Sequence, residues 1–240
     1  LSVYSSKNQY WYNRTVTADS SGNFSADFSS DSDLIGGDSG LAVVCDPQNN
    51  CAKINFYLPF FKVRILDSHI IGNRFSAFTD VTINLKNSSG ELRGTWLVQT
   101  DSSGYFSRFF FTSDYLIPQV GDIVEVIPAG GAVMTETVPV LTILPDTSTG
   151  TVSGKAIPNN QVWVGICQER LVGHICDGHR VTANSAGDYL ATASAGWGVN
   201  QGDQIIMEST TDAGNIFNII EFVPNRLSVQ INDRAAGVCT

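Results

Sequence analysis

The segment Gly37-Asp38-Ser39-Gly40 copies the nucleophile motif of chymotrypsin-type serine proteases, in which a histidine takes the proton of the attacking serine. In those enzymes the His and Asp precede the Ser, whereas His69, His174 and His179 all follow Ser39. The Gly-Asp pair returns as Gly121-Asp122 and Gly202-Asp203, with Ile and Gln in the place of the serine. A turn explains the pair better than a nucleophile does, and no catalytic residue is expected. Cys167, His174, Cys176 and His179 are thiolate and imidazole groups of the kind that hold zinc, but their spacing fits no standard knuckle. A hairpin closed by a Cys167–Cys176 disulfide is the preferred reading, with neither metal nor cofactor expected. Asp31 and Asp33 are a close acidic pair in a Ser-rich loop, and no carboxylate pair for glycoside hydrolysis can be assigned. Trp11, Trp96, Trp163 and Trp197 could stack on sugars or serve as ordinary core and edge residues. Asn13, Asn23 and Asn87 head glycosylation sequons and would then mark surface positions.

The elements that carry these residues follow from composition. The chain has 240 residues, a net charge of −9, only 15% charged residues, and 14 Lys and Arg scattered singly. Nucleic acid and anionic membranes are poor partners for such a surface. No stretch approaches the roughly 20 apolar residues of a membrane span. The chain opens on Leu1 rather than Met, which leads us to expect a removed signal peptide or larger N-terminal part. Cys45 with Cys51, and Cys167 with Cys176, form two local pairs that suggest hairpin disulfides and an oxidising, extracellular compartment. Cys239 is left over, which points to pairing between subunits or a buried free thiol.

An internal repeat organises the rest. Asp19-Ser-Ser-Gly-Asn-Phe24, Asp101-Ser-Ser-Gly-Tyr-Phe106 and Asn184-Ser-Ala-Gly-Asp-Tyr189 share one plan, at intervals of about eighty residues. Asp or Asn can hydrogen-bond the backbone ahead of it and Gly can take positive φ, so each segment reads as a hairpin turn. A calcium loop would need more carboxylates than one Asp. The Gly-Asp pairs recur in the same order, each ahead of an apolar or alternating strand. A Pro leading into a strand recurs as Pro59, Pro139 and Pro224. No segment sustains the apolar spacing of a helix, so an all-β chain of antiparallel sandwiches is expected. Val81, Ile83 and Leu85, and Val162 and Val164, would face the core, turning Trp163 outward.

The predicted organisation is residues 1–58, 59–138 and 139–225 as three repeats, with 226–240 as a C-terminal strand. The first repeat is out of phase. Its Leu1-Ser-Val3 aligns with Val162-Trp-Val164, so its opening strands are missing, while Arg226 to Ile231 matches an opening strand at the other end. An incomplete sandwich exposes an unpaired edge and a slot of apolar surface. Leu227, Val229, Ile231, Val238 and Cys239 could fill that slot in a neighbouring copy by strand addition.

The run Gly154-Lys-Ala-Ile-Pro-Asn-Asn160, Val-x-Val, Ser-x-Gly-x-aromatic and Gly-Asp resembles the immunoglobulin-like or carboxypeptidase-regulatory-like repeats of bacterial surface proteins, over nearly the whole chain. The resemblance implies tandem Ig-like β-sandwiches, here three, of the kind that serve as secreted, non-enzymatic stalks, spacers or filament subunits. The first repeat departs from it by lacking its opening strands, which leads us to expect completion by strand donation from another subunit and a head-to-tail homopolymer. The alternative is an adhesin module that binds carbohydrate or a host surface.

Overall fold

The computed structural model describes residues 1–46, 48–110, 116–170 and 173–224. Eighteen strands and no helix occur among these residues. The first stretch holds β1 (Ser2–Ser5), β2 (Tyr10–Asn13), β3 (Ser39–Cys45) and β4 (Cys51–Tyr57). The second holds β5 (Phe60–Arg64), β6 (His69–Asn73), β7 (Asp80–Lys86), β8 (Leu92–Gln99), β9 (Phe106–Phe109), β10 (Ile123–Pro128) and β11 (Met134–Thr137). The third holds β12 (Leu144–Asp146), β13 (Thr151–Lys155), β14 (Gln161–Arg170), β15 (Gly173–Thr182), β16 (Asp188–Thr192), β17 (Gln204–Thr210) and β18 (Ile216–Phe222).

These residues form strands because branched and aromatic side chains alternate with polar ones, which suits a half-buried pleated surface. In β7, Val81, Ile83 and Leu85 are fully buried, as are Val124 and Val126 of the neighbouring β10 and Val162 and Val164 of β14. Each such side chain contributes roughly 1.5–3 kcal/mol when taken out of water. One contiguous apolar cluster runs from Phe61 to Val223 and gathers the inner faces of the second and third stretches. Val3, Phe28, Ile35 and Ala42 are also buried but stand outside that cluster.

Three sheets repeat one order. The four-stranded sheets run β2-β1-β3-β4 and β11-β10-β7-β8, and β15-β14-β17-β18 forms one end of a seven-stranded sheet. Opposite the second of these stand β5-β6-β9, and opposite the third stand β12-β13-β16. Among the described residues the first has no such counterpart. The ladders also correct the alignment read from sequence. Val3 faces Gly40 as Leu85 faces Val124 and Ile166 faces Ile205, so Leu1 stands level with Val164 rather than Val162.

Two turns recur with the same hydrogen bonds. In the first, the Oδ1 atoms of Asp19, Asp101 and Asn184 each accept two backbone N–H groups, from Ser21 and Asn23, Ser103 and Tyr105, and Ala186 and Asp188. In the second, the carboxylates of Asp38, Asp122 and Asp203 are buried and accept the N–H three residues back, from Ile35, Gln119 and Asn200 at 3.0, 2.8 and 2.8 Å. The preceding Gly37, Gly121 and Gly202 have φ of 87°, 87° and 88°, where a side chain would be strained. The Gly-Asp motif is therefore a strand-entry turn. Asp122 is further paired with Arg93.

The turn carboxylates make stability sensitive to acid. Hydrogen bonds from the Ser103 hydroxyl and the Tyr105 and Ser103 amides hold Asp101 below the ordinary carboxylate value. The Ser148 and Thr149 hydroxyls bring Asp146 down to about 2. A lowered folded pKa means that the contribution is complete above the unfolded value and is lost as pH falls through the folded one. The melting midpoint is thus expected to fall between about pH 4 and pH 2. Asp146→Asn, which keeps an acceptor without a titration, should flatten that decline in circular-dichroism melts. An unchanged slope would exclude Asp146 from the acid response.

The stretches are joined along their edges. β18 pairs in parallel with β5, with Ile216, Phe217 and Asn218 opposite Lys62, Val63 and Arg64. Asn215, 1% exposed, accepts the Phe61 N–H at 3.0 Å and donates to Glu136 at 2.8 Å. The Gly36 N–H donates to the Ala213 carbonyl at 2.8 Å, which ties in the first stretch.

Candidate functional site

The sheet β2-β1-β3-β4 borders a groove of about 480 Å³ at the Ala42–Cys45 end of β3, while Val3 and Ser5 on the inner face of β1 are buried. Leu1, Val16, Phe24, Ala42, Val44 and Cys45 line it. Phe24 follows its turn as Phe106 and Tyr189 follow theirs, but Phe106 and Tyr189 are 3% and 4% exposed and Phe24 is 42% exposed. The difference lies in what stands above each ring. Phe106 lies over Gly72 of β6, its ring 2.0 Å from where a methyl group on that glycine would stand. The Tyr189 hydroxyl donates to the Thr142 carbonyl at 3.0 Å, ahead of β12. Burial pushes the Tyr189 phenol well above its usual range. Among the described residues no such strand meets Phe24, and residues 14–38 make no strand of their own.

The turn glycines report the same difference. A methyl on Gly104 would stand 1.8 Å from the Phe75 carbonyl oxygen, and one on Gly187 would stand 2.6 Å from that of Ala156. One on Gly22 would meet nothing within 4 Å. Edge amides and carbonyls beside an apolar groove are what an added β-strand needs: backbone hydrogen bonds for affinity and pockets for alternate side chains.

The sequence-derived candidates distribute as follows. Ser39 sits in β3 opposite Tyr4 and Tyr57. Cys45 is bonded to Cys51 across the β3–β4 hairpin, and Cys167 to Cys176 across β14–β15. Each such short loop restrains the unfolded chain by about 2–3 kcal/mol. His179 pairs with Asp177 at 2.8 Å, and the same carboxylate accepts the Ser194 amide and hydroxyl. Asp31 is held by Arg14. Trp96 is buried against Phe110, with ring centroids 4.9 Å apart. Trp11 is half exposed beside Tyr4, and Trp197 is half-buried. Asn13 and Asn23 are exposed, and the half-buried Asn87 Oδ1 caps its own turn by accepting the Ser89 and Glu91 amides. Leu227, Val229, Ile231, Val238 and Cys239 lie outside the described residues.

Sequence reasoning missed a second concavity of about 660 Å³ where the three stretches meet, lined among others by Lys7, Arg74, Trp163, Arg180 and Glu208. The outward setting of Trp163 was the available signal; the parallel β18–β5 pairing that closes the cleft had none.

No family model matches the chain, and no curated protein matches it. Among solved structures it is similar to a tetra-tandem repeat from the extending region of a large adhesion protein, at 19% identity over 92% of this chain and 64% of that one, with a TM-score of 0.27. A biofilm-associated protein BSP domain matches at 15% identity over 70% of this chain and 29% of that one, TM-score 0.29. A bacterial ice-binding adhesin matches at 14% identity over 93% and 84%, TM-score 0.23. The chain spans less than two thirds of the length of the first two. None superposes well enough to carry an inference.

Proposed function

We propose that the chain is a non-enzymatic structural subunit of an extracellular or cell-surface filament or stalk. In this reading it comprises three Ig-like sandwiches, at 1–58, 59–138 and 139–225. The segment 226–240 of one subunit completes the first sandwich of the next. The observation that carries the proposal is Phe24, which occupies the core-closing position of Phe106 and Tyr189 yet is 42% exposed, beside a sheet that has no second sheet over it among the described residues. Leaving such a groove empty exposes apolar surface and unpaired edge groups in every copy. Leu227, Val229 and Ile231 carry the alternation that a completing strand requires, and Val238 and Cys239 are apolar residues further along the same segment. The contact joins two different surfaces, so it propagates head to tail unless the rotation closes a ring. Two cross-strand disulfides support an oxidising compartment outside the cell.

Removing residues 227–240 is expected to abolish fibres in negative-stain electron microscopy while leaving monomers with unchanged circular dichroism. Fibres that persist after the deletion would refute strand donation. On a non-reducing gel, a ladder that collapses in Cys239→Ser would add a covalent link to the contact.

A further inference from the structure

We propose that the cleft at the junction of the three stretches is a binding site for an acidic saccharide, with Trp163 as its stacking floor and Arg180 as its carboxylate anchor. The site forms within a single chain, so it stands or falls independently of the assembly reading.

The floor is built rather than incidental. Trp163 lies on the outward face of β14, on the same side as Gly165, and Gly165 faces Gly178 across β14–β15. Methyl groups at those two glycines would stand 2.4 Å and 3.0 Å from the indole. One ring therefore covers both positions and lies flat along the sheet. That leaves its other face on the outward side of the sheet, and the half-buried Trp163 lines the cleft there. An aromatic face carries negative electrostatic potential and suits the C–H face of a pyranose.

The surroundings choose the charge. Arg180 stands directly opposite Trp163 on one side and Glu208 on the other. Glu208 is held by Lys62. Arg180 forms no ion pair among the described residues, and its planar fork matches a carboxylate in two parallel hydrogen bonds. Lys7 overhangs the same space, its carbonyl accepting the Gln161 side-chain amide at 3.0 Å. Arg74 completes a cationic lining in a chain whose net charge is −9. Amide and hydroxyl groups of Asn160, Gln161 and Thr182 supply the rim that sugar hydroxyls need. The volume of about 660 Å³ falls within the roughly 300–1,000 Å³ of small-molecule sites.

Isothermal titration of the whole chain with oligosaccharides of galacturonate, alginate and hyaluronan, beside neutral maltooligosaccharide, tests the proposal. At least one uronate series is expected to bind, more weakly as salt is raised, and more tightly than the neutral sugar. Trp163→Ala should weaken that binding tenfold or more. Arg180→Gln should erase the preference for uronate over neutral sugar without lowering the melting midpoint. Gly165→Ala keeps the indole but lifts it from the sheet, and should weaken binding while Trp163 remains. Failure of all three uronates to bind, or uronate binding undiminished in both Trp163→Ala and Arg180→Gln, would overturn the proposal. So would tighter binding of a nucleoside phosphate at the same residues.

Discussion

Gly104→Ala is expected to destabilise the chain by about 3 kcal/mol or more, and the same change at Gly22 by only about 1 kcal/mol. Both glycines follow the same turn, with φ of 75° and 81°, so both substitutions suffer the left-handed backbone penalty. Only Gly104 adds a collision. Its methyl would stand 1.8 Å from the Phe75 carbonyl oxygen, a backbone atom that cannot swing aside as the end of a side chain would. For a protein of this size each kcal/mol moves the melting midpoint by roughly 2–4 °C. Gly104→Ala should therefore lower it by roughly 6 °C at least, and Gly22→Ala by a few degrees at most. Gly187→Ala should fall between, because its methyl would meet the Ala156 carbonyl oxygen at 2.6 Å. The contrast also probes assembly. In a filament whose donated strand fills the groove, the space above Gly22 becomes occupied, and Gly22→Ala should impair polymerisation while the free subunit stays folded. Equal melting losses at Gly22 and Gly104 would contradict the open space above Gly22; normal fibres from Gly22→Ala would contradict the proposed strand donation at that turn.

Asn215→Ala should cost about 3 kcal/mol and loosen the union of the second and third stretches. The side chain is buried and reaches two strands of the second stretch at once, accepting from the Phe61 amide of β5 and donating to Glu136 of β11. Truncation leaves the Phe61 N–H buried without that acceptor, a penalty of about 1–3 kcal/mol before any loss of packing. Glu136 keeps the Thr211 hydroxyl, so the damage concentrates at the start of β5. Calorimetry should show the main transition shifting downward and separating into two. A single transition at the original midpoint would mean that the parallel β18–β5 ladder couples the stretches without Asn215.

What sequence revealed and what it concealed divide along a physical line. The inward setting of Val81, Ile83 and Leu85 was legible because alternation of period two fixes which face is apolar. The Gly-Asp turns and the local cysteine pairs were legible because their interactions close within a few residues. The register of β1 was not. A slip of two residues keeps every side chain on its own face, so Leu1 could be matched to Val162 as readily as to Val164, and only the pairing of Val3 with Gly40 decides. The junctional cleft was hidden for a related reason. That Trp163 faces outward follows from its neighbours, but its flat setting depends on Gly178 standing across from Gly165, a matter of cross-strand register. The β18–β5 pairing joins residues far apart in the chain whose patterns would suit any sheet edge.

That pairing has a mechanical consequence. β5 and β18 run in the same direction, with Ile216 to Asn218 beside Lys62 to Arg64. Tension drawn between residue 60 and residue 222 pulls one strand by its beginning and the other by its end, so the hydrogen bonds between them slide past one another and must break together. A chain pulled in that way resists as a clamp does, where a ladder opened from one end would give way bond by bond.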